Sequence, residues 1–215
     1  MHTVLSTKML SQAQKNLLLN AGIALVEYNA IKIEARDFIC EEVISNGIIT
    51  SQNAANIIIN RKIKIENVFC VGEKTAALLK DHGFNIAEIS NYGKDLAEIL
   101  STGYSNRNFT FFCGDKRRDD IPLILKEKSI EVREIEVYKT KLVPKEFNQK
   151  FDGILFFSPS AVQSFMMANH PGESLVFCIG TTTAAEAENF TQNILIATKP
   201  SIENVIVQVV KKFRI

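Results

Sequence analysis

The chain has almost no net charge. Among its 215 residues, 25 Lys and Arg oppose 24 Asp and Glu, leaving +1, and the two signs are interleaved. No long-range field is available to capture nucleic acid or an anionic membrane, so any anion has to be held by local devices. Long apolar runs are missing too: stretches such as Ile23 to Val26 are far too short to span a bilayer, and no apolar h-region opens the N-terminus. These absences predict a cytoplasmic protein with neither nucleic acid nor membrane as partner. The cysteines Cys40, Cys70, Cys113 and Cys178 show no CxxC or CxxH spacing, and His2, His82 and His170 form no ligand pattern. Three of those cysteines end apolar stretches just before a glycine, which suits small buried hydrophobes better than metal or redox centres. Low-complexity segments and linkers rich in Gly, Ser or Pro are also lacking.

What is present is an ordinary globular composition, 46% hydrophobic and 23% charged, sufficient for filled cores. Within it one segment occurs twice. Val68-Phe69-Cys70-Val71-Gly72-Glu73-Lys74-Thr75-Ala76-Ala77 returns 108 residues later as Val176-Phe177-Cys178-Ile179-Gly180-Thr181-Thr182-Thr183-Ala184-Ala185, with seven of ten positions identical. Each copy runs from a β-branched apolar stretch through glycine into polar residues and then an Ala-rich stretch, the signature of strand, tight turn and helix N-terminus. The Thr50-Ser51 and Phe157-Ser158 turns are related at an offset of 107. Two similar lobes are expected.

Apolar runs alternate with 3.6-period stretches, which is the pattern of parallel strands each followed by a crossover helix. The predicted order begins with strand Thr3 to Thr7, a helix over about Ser11 to Asn20 closed near Gly22, an extended run from Ala24 to about Ile33 and a helix around Ala35 to Ser45. A short strand then meets Ser51 as N-cap of the next helix. Strand Asn67 to Val71, helix Glu73 to His82, strand Asn85 to Ile89, helix Lys94 to Leu100, strand Asn108 to Cys113, a helix ending near Lys128 and strand Glu131 to Val137 follow. His82, beside Gly83 at a helix end, is placed where a cation favours the dipole. In the second half come strand Asp152 to Phe157, a helix opened by Ser158-Pro159, strand Ser174 to Ile179, helix Ala184 to Phe190, strand Asn193 to Ala197 and a last helix to Phe213. The extended pieces Tyr28 to Glu34 and Val137 to Leu142 can pair as a two-stranded connection.

The order of motifs resembles the uroporphyrinogen-III synthase family. The resemblance is carried by Val4-Leu5-Ser6-Thr7-Lys8, Ile49-Thr50-Ser51, Val71-Gly72-Glu73-Lys74-Thr75-Ala76, Phe112-Cys113-Gly114 with Leu125 beyond, Val137-Tyr138-Lys139-Thr140, Phe156-Phe157-Ser158-Pro159-Ser160-Ala161-Val162 and Ile179-Gly180-Thr181-Thr182-Thr183-Ala184. It implies two flavodoxin-like α/β lobes of parallel sheet, one inserted in the other: a discontinuous lobe of residues 1–28 and 142–215, an inserted lobe of 36–136, and linker strands at 29–35 and 137–141. It also implies a monomeric lyase without metal or organic cofactor. Such enzymes take hydroxymethylbilane, handed over by hydroxymethylbilane synthase, and cyclise it with inversion of ring D and loss of water. Two positions depart from the family pattern: Lys8 stands where Arg is usual, losing the bidentate fork, and Gln52 stands where Pro commonly follows the serine.

For a substrate rich in carboxylates, the strand-to-helix turns are the obvious donors, because orphaned N–H groups and the helix dipole make anion sites there. In parallel α/β sheets these turns share the carboxyl edge. Lys8, Ser51, Thr75, Ser158, Ser160, Thr182 and Thr183 are the resulting binding candidates, and capping alone is the competing reading for the hydroxyl residues. Gly72, Gly114 and Gly180 admit either tight-turn geometry or close backbone approach to ligand. Tyr138 is the candidate for chemistry: a phenol is protonated at neutral pH and can donate to the departing hydroxyl, the alternative being a ring packed beside the connecting strands. Lys116-Arg117-Arg118, followed at once by Asp119-Asp120, reads as a solvated first helical turn rather than a patch. A non-catalytic two-lobed binding protein is the rival from another class. The single glycine of each repeated turn gives no support to a nucleotide loop.

Overall fold

The computed structural model describes residues 1–117 and 119–213. In chain order its elements are β1 (Thr3–Ser6), α1 (Gln12–Leu19), β2 (Ala24–Glu27), β3 (Ile31–Ala35), β4 (Val43–Ile49), α2 (Gln52–Asn60), β5 (Lys64–Val71), α3 (Glu73–Asp81), β6 (Ile86–Ser90), α4 (Gly93–Gly103), β7 (Phe109–Gly114), α5 (Asp120–Glu127), β8 (Val132–Leu142), β9 (Gly153–Phe156), α6 (Pro159–Met166), β10 (Leu175–Cys178), α7 (Thr181–Ala187), β11 (Ile194–Ile196) and α8 (Ile202–Phe213). They fall into two compact units, unit 1 of residues 1–32 and 141–215 and unit 2 of residues 33–140. The chain passes from one unit to the other within β3 and again within β8, and these strands are hydrogen-bonded neighbours.

Unit 1 is built on a sheet in the order β2-β1-β9-β10-β11, with every neighbour parallel. Successive strand residues point to opposite faces. Leu5, Ile154, Phe156, Val176 and Cys178 pack with Ala161, Val162 and Ala184 of α6 and α7, while Val4, Leu155 and Phe177 pack with Leu18 of α1 and Val205 and Val209 of α8. Both faces are covered, which is why these strands read as continuous apolar runs rather than as alternation.

Unit 2 has the order β3-β8-β7-β4-β5-β6, with parallel pairing from β8 through to β6. Ile49, Cys70 and Phe112 pack with α2 and α3 residues Ala54, Ile58, Ala76 and Leu79; Ile48, Phe69 and Phe111 pack with α4 and α5 residues Leu96, Leu100 and Leu125. The two sheets have one strand layout, β2-β1-β9-β10-β11 against β8-β7-β4-β5-β6, and differ in where the chain enters. Strands β9 and β10 occupy the places of β4 and β5, so the related turns recur at near-constant offset. Strands β1 and β2, first in the chain, take the places that β7 and β8 hold in unit 2.

Three expectations are corrected. No helix forms around Ala35 to Ser45: residues 36–42 carry no regular element, and β4 begins at Val43. Pairing decides against the helical spacing, since Val43 through Ile49 lie in register with Lys64 through Cys70. The segment before β4 is pinned by ion pairs of Arg36 with Glu136 (2.7 Å), Arg61 with Asp37 (2.7 Å) and Arg133 with Glu41. Helix α4 runs to Gly103 rather than Leu100, and α7 starts at Thr181 rather than Ala184, whereas β8 runs unbroken through the extended piece expected over Val137 to Leu142. The cysteines behave as small hydrophobes: Cys70, Cys113 and Cys178 are buried and Cys40 partly so. Among the described residues no helix is long and apolar enough to cross a membrane.

Candidate functional site

Ligands of parallel α/β sheets collect beyond the carboxyl ends of the strands, at the point where chain order reverses. In unit 2 that reversal lies between β4 and β7, because the chain runs β4-β5-β6 to one side and then β7-β8 to the other. The turn after β4 presents Ser51, whose extended backbone makes it the N-cap of α2 and whose Oγ accepts from the Ala54 N–H at 3.1 Å. The same Oγ lies 3.3 Å from the Tyr138 hydroxyl, with both residues half-buried. Across the reversal, β7 ends in Gly114, and the Tyr138 ring lies directly against it. A Cβ built on Gly114 would meet Tyr138 Cε2 and Cζ at 2.4 Å. Gly114 thus admits the tyrosine ring, where the sequence suggested ligand approach or a tight turn.

How Tyr138 reaches this place was not visible in its sequence pattern. Ile135 and Val137 point into the core beneath α2 and α3. Strict alternation then sends Tyr138 to the opposite face, yet it packs against the same core. The cause is a register shift: Cys113 pairs with Glu136, but Gly114 pairs with Tyr138, so β8 carries one extra residue. Such bulges re-aim side chains. Asp115, not singled out from the sequence, ties down the strand just after the bulge. Its N–H donates to the Tyr138 carbonyl at 3.1 Å, and its Oδ1 accepts from the Thr140 N–H at 2.8 Å.

In unit 1 the reversal lies between β1 and β9. Lys8 is exposed beyond β1, in a turn closed by Ser6 Oγ donating to the Lys8 carbonyl at 2.6 Å. Beyond β9, Ser158 caps α6 by accepting from the Ala161 N–H at 3.2 Å, and Pro159 opens the helix. Ser160 is buried.

The duplicated turns sit one strand away from each reversal, and their glycines differ. Gly72 has φ +86°, donates its N–H to the Ser90 carbonyl at 2.8 Å and precedes α3. Gly180 is extended, with φ −174°. Only Gly72 needs the freedom of a residue without Cβ. Thr75 and Thr183 are both buried, leaving Thr182 as the exposed hydroxyl residue among these candidates in the repeated turns. Arg117 pairs with Glu134 and Asp119 and is half-buried ahead of α5, which starts only at Asp120, so the expected first helical turn is not formed at Lys116 and Arg117; Arg118 lies outside the described residues.

Unit 1 contains a further tyrosine, Tyr28, just beyond β2, the counterpart of β8. It packs edge-on to Phe147 with ring centroids 5.1 Å apart, and its hydroxyl has no hydrogen-bond partner among the described residues. Burial pushes its phenol up to about 12. A groove of about 800 Å³ in unit 1, lined by Phe147, Phe151, Phe165 and Leu175, opens at the amino ends of β9 and β10, the edge opposite the turns. Among the described residues, no three His, Cys, Asp or Glu side chains are grouped so as to hold a metal ion.

A family model described as Uroporphyrinogen-III synthase HemD matches residues 12–206. The chain belongs to the uroporphyrinogen-III synthase family. Among curated relatives, the porphyrin biosynthesis protein HemD of Ruminiclostridium josui is 26% identical over 220 residues, covering 86% of this chain and 43% of that protein. The chain therefore spans less than half the length of that relative. Among solved structures, uroporphyrinogen-III synthetase from Helicobacter pylori aligns with a TM-score of 0.72 at 17% identity, covering 99% of this chain and 100% of that one. A mutant uroporphyrinogen III synthase from the extremely thermophilic bacterium Thermus thermophilus gives 0.65 at 13% identity, covering 99% and 98%. At these identities the two structures share the family's fold with this chain.

Proposed function

We propose that this chain catalyses the uroporphyrinogen-III synthase reaction, closing hydroxymethylbilane with inversion of ring D and release of water. The observation that carries the proposal is the Tyr138 hydroxyl, held against Ser51 at the chain reversal of unit 2 in a member of this family. Tyr138 donates toward the departing hydroxyl, which leaves as water and generates an azafulvenium cation. General acid help of this kind is typically worth ~10²- to 10⁴-fold. The larger task is selection of the carbon that attacks. Uncatalysed closure joins the ends without inversion, so the protein must hold the substituted carbon of ring D as the nearer nucleophile, and positioning can supply ~7 to 11 kcal/mol.

Carboxylate binding falls to the carboxyl edge of each unit. Backbone N–H groups at the starts of α2 and α6, with Ser51 and Ser158, offer donors and a favourable dipole in a protein of nearly zero net charge. Lys8 and Thr182 add exposed polar groups in unit 1, and the Gly72 and Gly180 turns add further backbone. Ser160, Thr75 and Thr183 are buried and act through the shape of their turns.

A coupled assay supplying freshly made hydroxymethylbilane, with product isomers separated, tests this directly. The type III isomer, formed faster than spontaneous closure, is expected. Type I isomer alone, at the spontaneous rate, would leave the chain a binding protein.

A further inference from the structure

We propose that Asp115 is a positioning residue that latches the β8 bulge and thereby aims Tyr138 at Ser51. This rests on the reading of Tyr138 as the donor, and it adds a residue that the reading does not contain.

The bulge has a mechanical problem. An extra residue in one strand leaves its neighbours without regular ladder partners, and a strand free to slip back by one residue would turn Tyr138 to the other face. Two contacts of Asp115 block that slip just beyond the tyrosine. Its backbone N–H takes the Tyr138 carbonyl and its carboxylate takes the Thr140 N–H, so residues 138 and 140 are tied to one residue of the neighbouring strand's turn. On the far edge of β8, the Val137 carbonyl accepts from the Arg36 N–H at 2.9 Å, so the bulged residue is held there as well. Gly114 completes the arrangement, since any Cβ at that position would occupy the space of the ring. Of these contacts, the carboxylate is the one that depends on side-chain identity and can be removed without touching the tyrosine.

The test compares Asp115→Ala with Asp115→Asn in the full chain. Asn keeps a side-chain oxygen for the Thr140 amide, and Ala does not. In Asp115→Ala the ring resonances of ¹³C-labelled Tyr138, assigned with Tyr138→Phe, are expected to shift or broaden. Its kcat for bilane closure is expected to fall roughly 10- to 100-fold, as a misplacement near 1 Å can cause, with KM changed less than about twofold. Asp115→Asn is expected to restore both signals. Unmoved Tyr138 resonances in Asp115→Ala overturn the latch, whatever happens to turnover. Moved resonances with unchanged turnover support the latch and count against Tyr138 as the donor, so the two failures are distinguishable. Should Asp115→Ala not fold, the wild-type chain decides by itself through the coupling across the hydrogen bond from the Thr140 nitrogen to the Asp115 carboxyl carbon. Its presence supports the latch and its absence overturns it.

Discussion

The two units share one order of strands but differ at the place where a ligand would be met. Both flank their chain reversal with a capping serine, Ser51 and Ser158, on helices packed against equivalent faces. Among the described residues, only in unit 2 does the neighbouring strand pair carry a bulge, a glycine under an aromatic ring and a tyrosine hydroxyl set against the serine. The counterpart strand of unit 1 is followed by a tyrosine, but Tyr28 is sunk in the core with its hydroxyl unpaired among the described residues. Duplicated architecture supplies two carboxyl edges, and local backbone irregularity sets a tyrosine hydroxyl at one of them. Identical layout therefore does not imply identical chemistry.

The sharpest way to break this contrast is to remove each tyrosine hydroxyl in turn. Tyr138→Phe is expected to lower kcat by about 10²- to 10⁴-fold with KM nearly unchanged. Tyr28→Phe is expected to leave turnover intact and to leave stability unchanged or slightly raised, since it removes a buried unpaired hydroxyl. Equal losses from the two variants, measured by initial rates and thermal unfolding, would abolish the distinction between the units.

Alkaline unfolding probes the cores beneath each edge. Burial raises Tyr28 and Cys178 to about 12 in unit 1, and Cys70 and Cys113 to about 11 in unit 2. A raised pKa means that the unfolded chain sheds the proton first. Stability is complete below the ordinary values of 9.0 for Cys and 10.0 for Tyr and falls as pH climbs toward 11 and 12. Tyr28, Cys70 and Cys113 are each expected to cost about 3 kcal/mol by the end of their windows, and Cys178 about 4 kcal/mol. Amide exchange, corrected for its intrinsic pH dependence, should therefore respond to Cys70 and Cys113 in unit 2 up to about pH 11 and keep rising in unit 1 up to about pH 12, and a rise in unit 1 that ends by pH 11 would contradict the deeper burial of Tyr28 and Cys178.

The repeated glycines give a smaller and cleaner contrast. Gly72→Ala forces a side chain onto φ +86° and is expected to cost about 1–3 kcal/mol. Gly180→Ala meets extended backbone and open space and is expected to cost well under about 1 kcal/mol beyond its cap role. Chemical denaturation of both variants measures the gap. The capping serines lie between the two glycines: Ser51→Ala and Ser158→Ala should each lose about 1 kcal/mol, while only Ser51→Ala should also lower kcat through Tyr138.

Much of the fold was legible because its signals are local. Ser51 and Ser158 announced helix starts with their own side chains, and both accept the expected N–H bonds. Apolar runs such as Phe109–Cys113 and Ile154–Phe156 could only be strands covered on both faces. The misread helix around Ala35 to Ser45 shows the limit, because its spacing suited a helix until pairing with β5 overrode local preference. The candidate site divides in the same way. Tyr138 and Ser51 were recognisable as residues, whereas Asp115 was passed over because its role is a pair of contacts to a strand distant in sequence.

By itself, the sequence determined the family, the parallel α/β class and the duplication, since each is written in residue order and in turns whose chemistry is local. The tertiary structure decided which tyrosine is poised and which is buried, which repeated glycine is needed for its backbone, and which face Tyr138 occupies. The face of Tyr138 depends on one residue of register between β7 and β8, and register is a property of two strands together that neither strand carries alone.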